Sequence, residues 1–275
     1  IGQGHETTFP QLVAERLGVP SDVVTMRHGD TDAIINGGGH GSSRATYMAG
    51  TAIWRASEEI EAKGKIVAAD MLEAAATDIT FSEGQFTVAG TDRSIGILDV
   101  AKAALEAGTP LDTFHAFTRE AMTYPCGAHA AEVTVDQDTG VVRLVNYTAV
   151  DDYGVLVNPM VASGQVHGAI AQGVGQALLE HAVYDEDGQL LAGSFMDYAM
   201  PRADDLPSFT LDFSPTPCTT NPLGVKGCGE AGAIAGYPAV TLAILDALKP
   251  LGVEGWDGPA TPETIWQAIQ AARSA

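Results

Sequence analysis

Apolar positions near the start of the chain recur at helical spacing. Phe9, Leu12, Val13 and Leu17 fall on one face of a predicted helix, with Thr8 and Gln11 as a capping box and Gly18 and Pro20 as its stop. Ser21-Asp22 then turn into Val23-Val24-Thr25-Met26, read as a strand. From Thr46 to about Ala75, Met48, Ala49, Ala52, Ile53, Ala56, Ile60 and Val67 mark a helix that would span roughly 45 Å. Ile79-Thr80-Phe81 and Phe86-Thr87-Val88 flank Glu83-Gly84 as a hairpin, and Asp99 to Leu105 forms a short helix ended by Gly108.

A second hairpin runs from Glu132–Val135 through Asp138-Thr139-Gly140 to Val142–Leu144. Residues 159–181 read as a small-residue helix, followed by strand candidates near 189–200 and 208–214. Helices at about 230–248 and 262–273 close the chain, the last opened by Thr261-Pro262. Long helices with antiparallel hairpins predict an α+β fold rather than a doubly wound sheet. A soft boundary near 109–118 divides it into two α+β halves, 1–112 and 113–275, without an internal repeat or low-complexity linker.

Charge narrows the function. Against 14 Lys+Arg stand 35 Asp+Glu, a formal net charge of −21 over 275 residues. Such a surface repels polyphosphate backbones and argues against nucleic-acid binding. An anionic ligand would have to be held by backbone N–H groups and helix N-termini, with few cations helping. No unbroken run of eighteen apolar residues occurs, so no membrane span is expected. The chain opens on Ile1-Gly2-Gln3-Gly4 with neither a starting methionine nor a leader, as a processed end or the interior of something longer would. Cys126, Cys218 and Cys228 have no CxxC spacing, which leaves Fe–S ligation, structural zinc and a disulfide framework unsupported; free thiols in a reducing cytoplasm are expected.

Four segments concentrate glycine and polar residues beyond what a core or a turn requires. Gly2-Gln3-Gly4-His5-Glu6-Thr7 precedes a helix, where glycines allow close backbone approach and the helix start favours an anion; a plain N-terminal cap accounts for it equally well. Asn36 to Thr46, NGGGHGSSRAT, is a candidate nest for a phosphate or a polar ring, with Arg44 placed where an anion would need it. It matches neither GxxxxGK[ST] nor GxGxxG, and a surface loop is its simpler reading. In Gln165 to Gly175, each helical glycine costs about 1 kcal/mol relative to alanine, which points first to tight packing; Gln172 could offer its amide to a heterocycle. In Gly224 to Ala233 a carboxylate, Glu230, sits in an apolar glycine-rich run at a helix start. Burial would raise its pKa while helix N–H groups and Lys226 would lower it, the opposition by which a general base is tuned. Taken alone, a first-turn glutamate more often complements the helix dipole.

Together the segments GQGHET (2–7), HGDTD (28–32), GSSRAT (41–46), QVHGAIAQGVGQ (165–176) and NPLGVKGCGEAG (221–232) resemble the molybdenum-binding large subunit of the xanthine oxidase family of molybdenum hydroxylases. EVTVDQDTG (132–140) and DDYGVLVNP (151–159) agree in order and spacing, so the resemblance covers essentially the whole chain. It implies that family's C-terminal molybdenum cofactor-binding fold and a molybdopterin, in bacteria often the cytosine dinucleotide. Gly2, Gln3 and Gly4 would approach the metal end, Ser42, Ser43, Arg44 and Ala45 would line the pterin, and Gln172 would hydrogen-bond it. Glu230 matches the family's base, which activates water-derived oxygen for attack on an electron-poor carbon. No protein ligand to the metal is implied. Electrons would leave through [2Fe–2S] centres and FAD on partner subunits.

GQGHET followed by an Arg-containing loop is closer to the carbon monoxide dehydrogenase-like branch, which also holds aldehyde and N-heterocycle hydroxylases. Oxidation of carbon monoxide would need a copper-binding cysteine upstream of this region. A full large subunit of the family also has an N-terminal half that completes the cofactor site and most of the substrate pocket. That half, an Fe–S small subunit and an FAD medium subunit are therefore the implied partners, and the chain alone is expected to be inactive. Two other readings stand beside this one. A non-catalytic scaffold half has no need of Glu230 or Arg44, and a phosphate-binding module explains only the second segment.

Overall fold

A computed structural model describes residues 2–34, 37–119 and 121–274. The chain forms two compact units, Ile1–Thr123 with Pro217–Lys226, and Tyr124–Thr216 with Gly227–Ala275. The first unit thus extends beyond the sequence boundary at 112 and takes back a ten-residue segment from far along the chain.

In the first unit, helix α1 (His5–Leu17) begins a turn earlier than its apolar spacing implied. Gly4 occupies the N-cap in the left-handed region at φ 73°, and no side chain caps the helix. The expected capping box is absent: Thr8 Oγ1 instead donates to the Gly4 carbonyl at 3.3 Å, a hydroxyl back-bond within the first turn. Gly18 ends α1 at φ 62°, as expected. Val23–Met26 form no strand; Ser21–Val23 make a 3-10 turn, and Val24 and Met26 after it are half-buried without a sheet neighbour. Helix α2 (Ala45–Met71) packs on α1, where Arg16 of α1 pairs with Glu61 and stacks over Trp54 at 5.5 Å.

Strands β1 (Ile79–Ser82) and β2 (Gln85–Val88) form the expected hairpin, its two-residue loop, Glu83 and Gly84, lying entirely at positive φ. A third strand, β3 (Ser94–Gly96), which sequence reasoning missed, pairs with β2 and runs into α3 (Ile97–Glu106). Phe86 is fully buried against Gly64 of α2, where any side chain would overlap its ring. A mid-helix glycine, unfavourable by itself, thus seats the largest side chain of this core.

The second unit is built on a three-stranded sheet. Strands β4 (Cys126–Val135) and β5 (Val142–Asp152) are antiparallel and much longer than the expected hairpin, and β6 (Phe209–Phe213) joins β5 in parallel. A bulge at Glu132/Val133 leaves Val145 and Asn146 exposed in succession. That extra residue restores phase, so Leu144 and Tyr147, three apart, both face the core. Helices α4 (Pro159–Leu178) and α5 (Ala231–Leu248) pack together, α5 lies on β4, and α6 (Pro262–Ser274) contributes buried Ile265 and Ile269. Asn158 caps α4 by accepting from Val161 N at 3.0 Å, with Pro159 in its first turn.

The region near 189–200 is not a strand; it holds one isolated bridge, Tyr184 to Leu190, and exposes Phe195 and Met196. By length and composition, the stretch Ala231–Leu251 is apolar enough to cross a membrane, with 28% of it buried here. Counting unbroken apolar runs missed it because glycine, proline and threonine interrupt a segment whose mean hydropathy is high. Val240, Ile244 and Leu248 of α5 are fully buried in the core of this unit.

Candidate functional site

The first segment forms a real concavity. Residues 2–7 and His28 line an open cavity of about 290 Å³. Gly2 and Gly4 both have positive φ, and a side chain at Gly2 would meet nothing within 4 Å. Beside them the Gln3 Oε1 is buried without a hydrogen-bond partner. A buried acceptor left unsatisfied costs about 1–3 kcal/mol, so its retention marks a place where a donor belongs. His28 Nε2 lies 3.3 Å from Glu6 Oε1, and the His5 ring stacks on Phe9. Burial, then the nearby His40 and His28, push the His5 imidazole below its usual range.

His40 brings the second segment to the same neighbourhood, since it acts on His5 electrostatically. Asn36, which opens that segment, lies outside the described residues. Ser42 and Ser43 take left-handed φ values of 65° and 49°, a conformation costing about 1–3 kcal/mol for a residue with a side chain. Arg44 follows as N-cap of α2 and Ala45 is that helix's first residue. The Arg44 Nε donates to the Gly39 carbonyl at 3.0 Å, so the guanidinium closes its own glycine loop. The serine pair ahead of the start of α2 is therefore a strained loop rather than a relaxed turn.

Gln172 and Glu230 belong to the second unit. Gln172 is exposed on α4, and Glu230 is the exposed N-cap of α5 at φ −110°, ψ −9°. Two glycine contacts bring their turns together. A side-chain carbon at Gly232 would stand 2.7 Å from Ile170 N and 2.9 Å from Val166 O. One at Gly173 would stand 2.9 Å from both Ala233 O and Tyr237 N. The α5 turn following Glu230 therefore touches the α4 turns flanking Gln172, backbone against backbone. Gly164 and Gly168, two turns and one turn before Gln172, have open space where a side chain would project.

Lys226 ends the segment that belongs to the first unit, and Gly227 begins the return to the second. The NPLGVKGCGEAG run is thus divided: its first part is a stapled turn. Buried Asn221 donates Nδ2 to Val225 O at 3.0 Å and accepts Val225 N at 3.2 Å, around Gly224 at φ 67°. Leu223 of that turn packs where Gly50 of α2 leaves room.

The residues fit a polar heterocycle with an anionic tail. The orphaned Gln3 acceptor suits a ring N–H, the open backbone at Gly2 allows close approach, and the N-terminus of α1 favours negative charge. Sequence reasoning placed His5 in the first segment and His28 in a separate one, 28–32, without joining the two. The separation of His28 from residues 2–7 along the chain gave no signal of their proximity.

Comparison with known proteins identifies the family. Residues 1–207 match the molybdopterin cofactor-binding domain. The carbon monoxide dehydrogenase large chain of Hydrogenophaga pseudoflava is 35% identical, over 98% of this chain and 34% of its own. Among solved structures, carbon monoxide dehydrogenase from Oligotropha carboxidovorans superposes with a TM-score of 0.88 at 33% identity, covering 99% of this chain and 35% of the other. Quinoline 2-oxidoreductase from Pseudomonas putida 86 superposes with a TM-score of 0.86 at 37% identity, covering 98% and 35%. The chain spans about a third of the length of the curated relatives it matches. It belongs to the family of molybdopterin cofactor-binding domains found in the molybdenum-binding subunits of xanthine dehydrogenase- and carbon monoxide dehydrogenase-type enzymes.

Proposed function

We propose that this chain is the cofactor-holding and base-supplying part of a molybdenum hydroxylase acting on an electron-poor carbon, as in an aldehyde or an N-heterocycle. The observation that carries the reading is the glycine-locked contact of α4 with α5, which joins the turns bearing Gln172 and Glu230. When bound, the molybdenum cofactor would supply water-derived oxygen to the substrate carbon and take up the two electrons released. Gln3, with its unpartnered buried acceptor, would meet the metal end of the cofactor, Ser42, Ser43 and Ala45 would line the pterin, and Gln172 would offer it an amide. Gly2 and Gly4 let the chain approach closely. Arg44 holds the loop in place through Gly39. Glu230 takes the proton from the attacking oxygen at its exposed carboxylate.

The cytosine dinucleotide form of the pterin, [2Fe–2S] and FAD partner subunits, a separate or preceding N-terminal half and a cytoplasmic location belong to the same proposal. Carbon monoxide as substrate is the second reading, favoured by the likeness to the two carbon monoxide dehydrogenases. Assay of the complete assembly with carbon monoxide, aldehydes and N-heterocycles separates the two.

The central test is Glu230→Gln in that assembly. Turnover should fall by several orders of magnitude, roughly 10³-fold or more, with molybdenum content retained. Near-normal turnover would remove the base assignment and favour a scaffold role.

A further inference from the structure

Beneath the turn that carries Glu230 lies a polar cluster that the proposed chemistry does not use. On the inner face of β4 and β5, His129 stands between Tyr147 and Asp151. Its Nδ1 is 2.8 Å from the Tyr147 hydroxyl and its Nε2 is 3.0 Å from Asp151 Oδ1. The His129 and Asp151 side chains are 3% and 4% exposed, and Tyr147 is fully buried. An ionised carboxylate only accepts, which puts a proton on Nε2; with a neutral imidazole, the Tyr147 O–H then donates to Nδ1. The three groups form one directed chain ending on a buried negative charge.

The sheet is built to admit this chain. Gly127 is the register partner of Asp151 across the β4–β5 pair, and any side chain there would overlap the carboxylate. Tyr153, on the same stretch, buries its hydroxyl next to both Asp151 and Cys228. Cys228 packs on the core that contains Tyr147 and Tyr153, two residues before Glu230. The Asp151 charge reaches its thiol and helps push it up to about 11, after burial. The charged and titratable groups around Asp151 are therefore His129 from β4, Tyr147 from β5, Tyr153 just beyond it, and Cys228 ahead of α5.

We infer that Tyr147, His129 and Asp151 act as a buried positioning relay that fixes the place and the electrostatic setting of the Cys228–Glu230 turn. The inference rests on Glu230 being the base. A hydrophobic core at this spot would hold the sheet together as well, and burying a charge is seldom the more stable choice. A fixed charge under the turn does what an apolar core cannot: it biases the protonation of groups above it.

The test uses the complete assembly with Asp151→Asn, which keeps an acceptor for His129 and removes the charge. We expect kcat to fall about 10- to 100-fold with KM nearly unchanged, because a carboxylate displaced by an ångström loses that much. Alkylation of the Cys228 peptide, followed by mass spectrometry, should speed up severalfold at fixed pH. Tyr147→Phe, which removes one hydroxyl and keeps the ring, should show a smaller loss of kcat in the same direction, and it carries the test if Asp151→Asn does not assemble. Wild-type kcat in either variant that assembles would overturn the relay. Unchanged Cys228 alkylation in Asp151→Asn would overturn it too, independently of turnover. Active Glu230→Gln with faster Cys228 alkylation in Asp151→Asn would instead locate the failure in the base assignment.

Discussion

Gly173 of α4 and Gly236 of α5 meet backbone to backbone: a side-chain carbon on Gly173 would stand 3.0 Å from the Gly236 Cα. Their contact sets how closely the two helices pack, and with it the distance between the turns of Gln172 and Glu230. Gly173→Ala should destabilise the chain by about 1–3 kcal/mol, because the obstructing atoms are backbone and cannot swing away. Gly168→Ala is the control, since its side chain would enter open space. That change should stabilise the chain by up to about 1 kcal/mol by removing glycine's entropy cost. Urea unfolding of both variants checks the pair, and equal effects would refute the packing argument.

The buried Gln3 Oε1 lacks a partner, so the chain should not depend on it for stability. Gln3→Leu is expected to leave unfolding unchanged or to raise stability by about 1 kcal/mol, since an unsatisfied acceptor is removed. In the complete assembly the same variant should lose molybdenum, measured by metal analysis. A destabilised chain with normal metal content would mean that Gln3 is structural.

Ser42 and Ser43 are held at positive φ, where glycine is unstrained. Ser43→Gly should therefore stabilise the chain by roughly 0.5–1 kcal/mol. If the strain serves the cofactor loop, the gain in thermal stability comes with weaker cofactor retention. A loss of stability in Ser43→Gly would show that the serine contributes more through its bonds than its backbone costs.

Alkaline pH should weaken the second unit. The Cys228 thiol is pushed up to about 11, by burial first, while an unfolded thiol titrates near 8.5. The unfolded chain releases its proton first, so the contribution is complete below about pH 8.5 and is lost as pH rises toward 11. Tyr147 and Tyr153 are raised as well, by burial and by Asp151, and act in the same direction at higher pH. Cys228→Ala should lose less stability than the wild type between pH 8 and 11, by on the order of 2 kcal/mol. Parallel curves for the two proteins would refute the shift.

Much of this was legible in the sequence because local rules sufficed. Gly18 and Gly108 stop helices, Glu83-Gly84 makes a two-residue hairpin loop, and Pro159 and Pro262 open helices. These features depend on a few neighbouring residues. Val23–Met26 misled because β-branched residues make a strand only beside another strand, and none lies there. Thr8 misled because Gly4 could start the helix a turn sooner.

The candidate site divides in the same way. Sequence alone determined the family and which residues are candidates for its chemistry, since the glycine-rich runs and the glutamate are local patterns whose order along the chain identifies the family. Tertiary structure decided what surrounds them. His28 beside residues 2–7, Gly232 against Ile170, and His129 between Tyr147 and Asp151 join residues far apart in the chain. Such contacts are set by packing and burial, and no spacing along the chain encodes them.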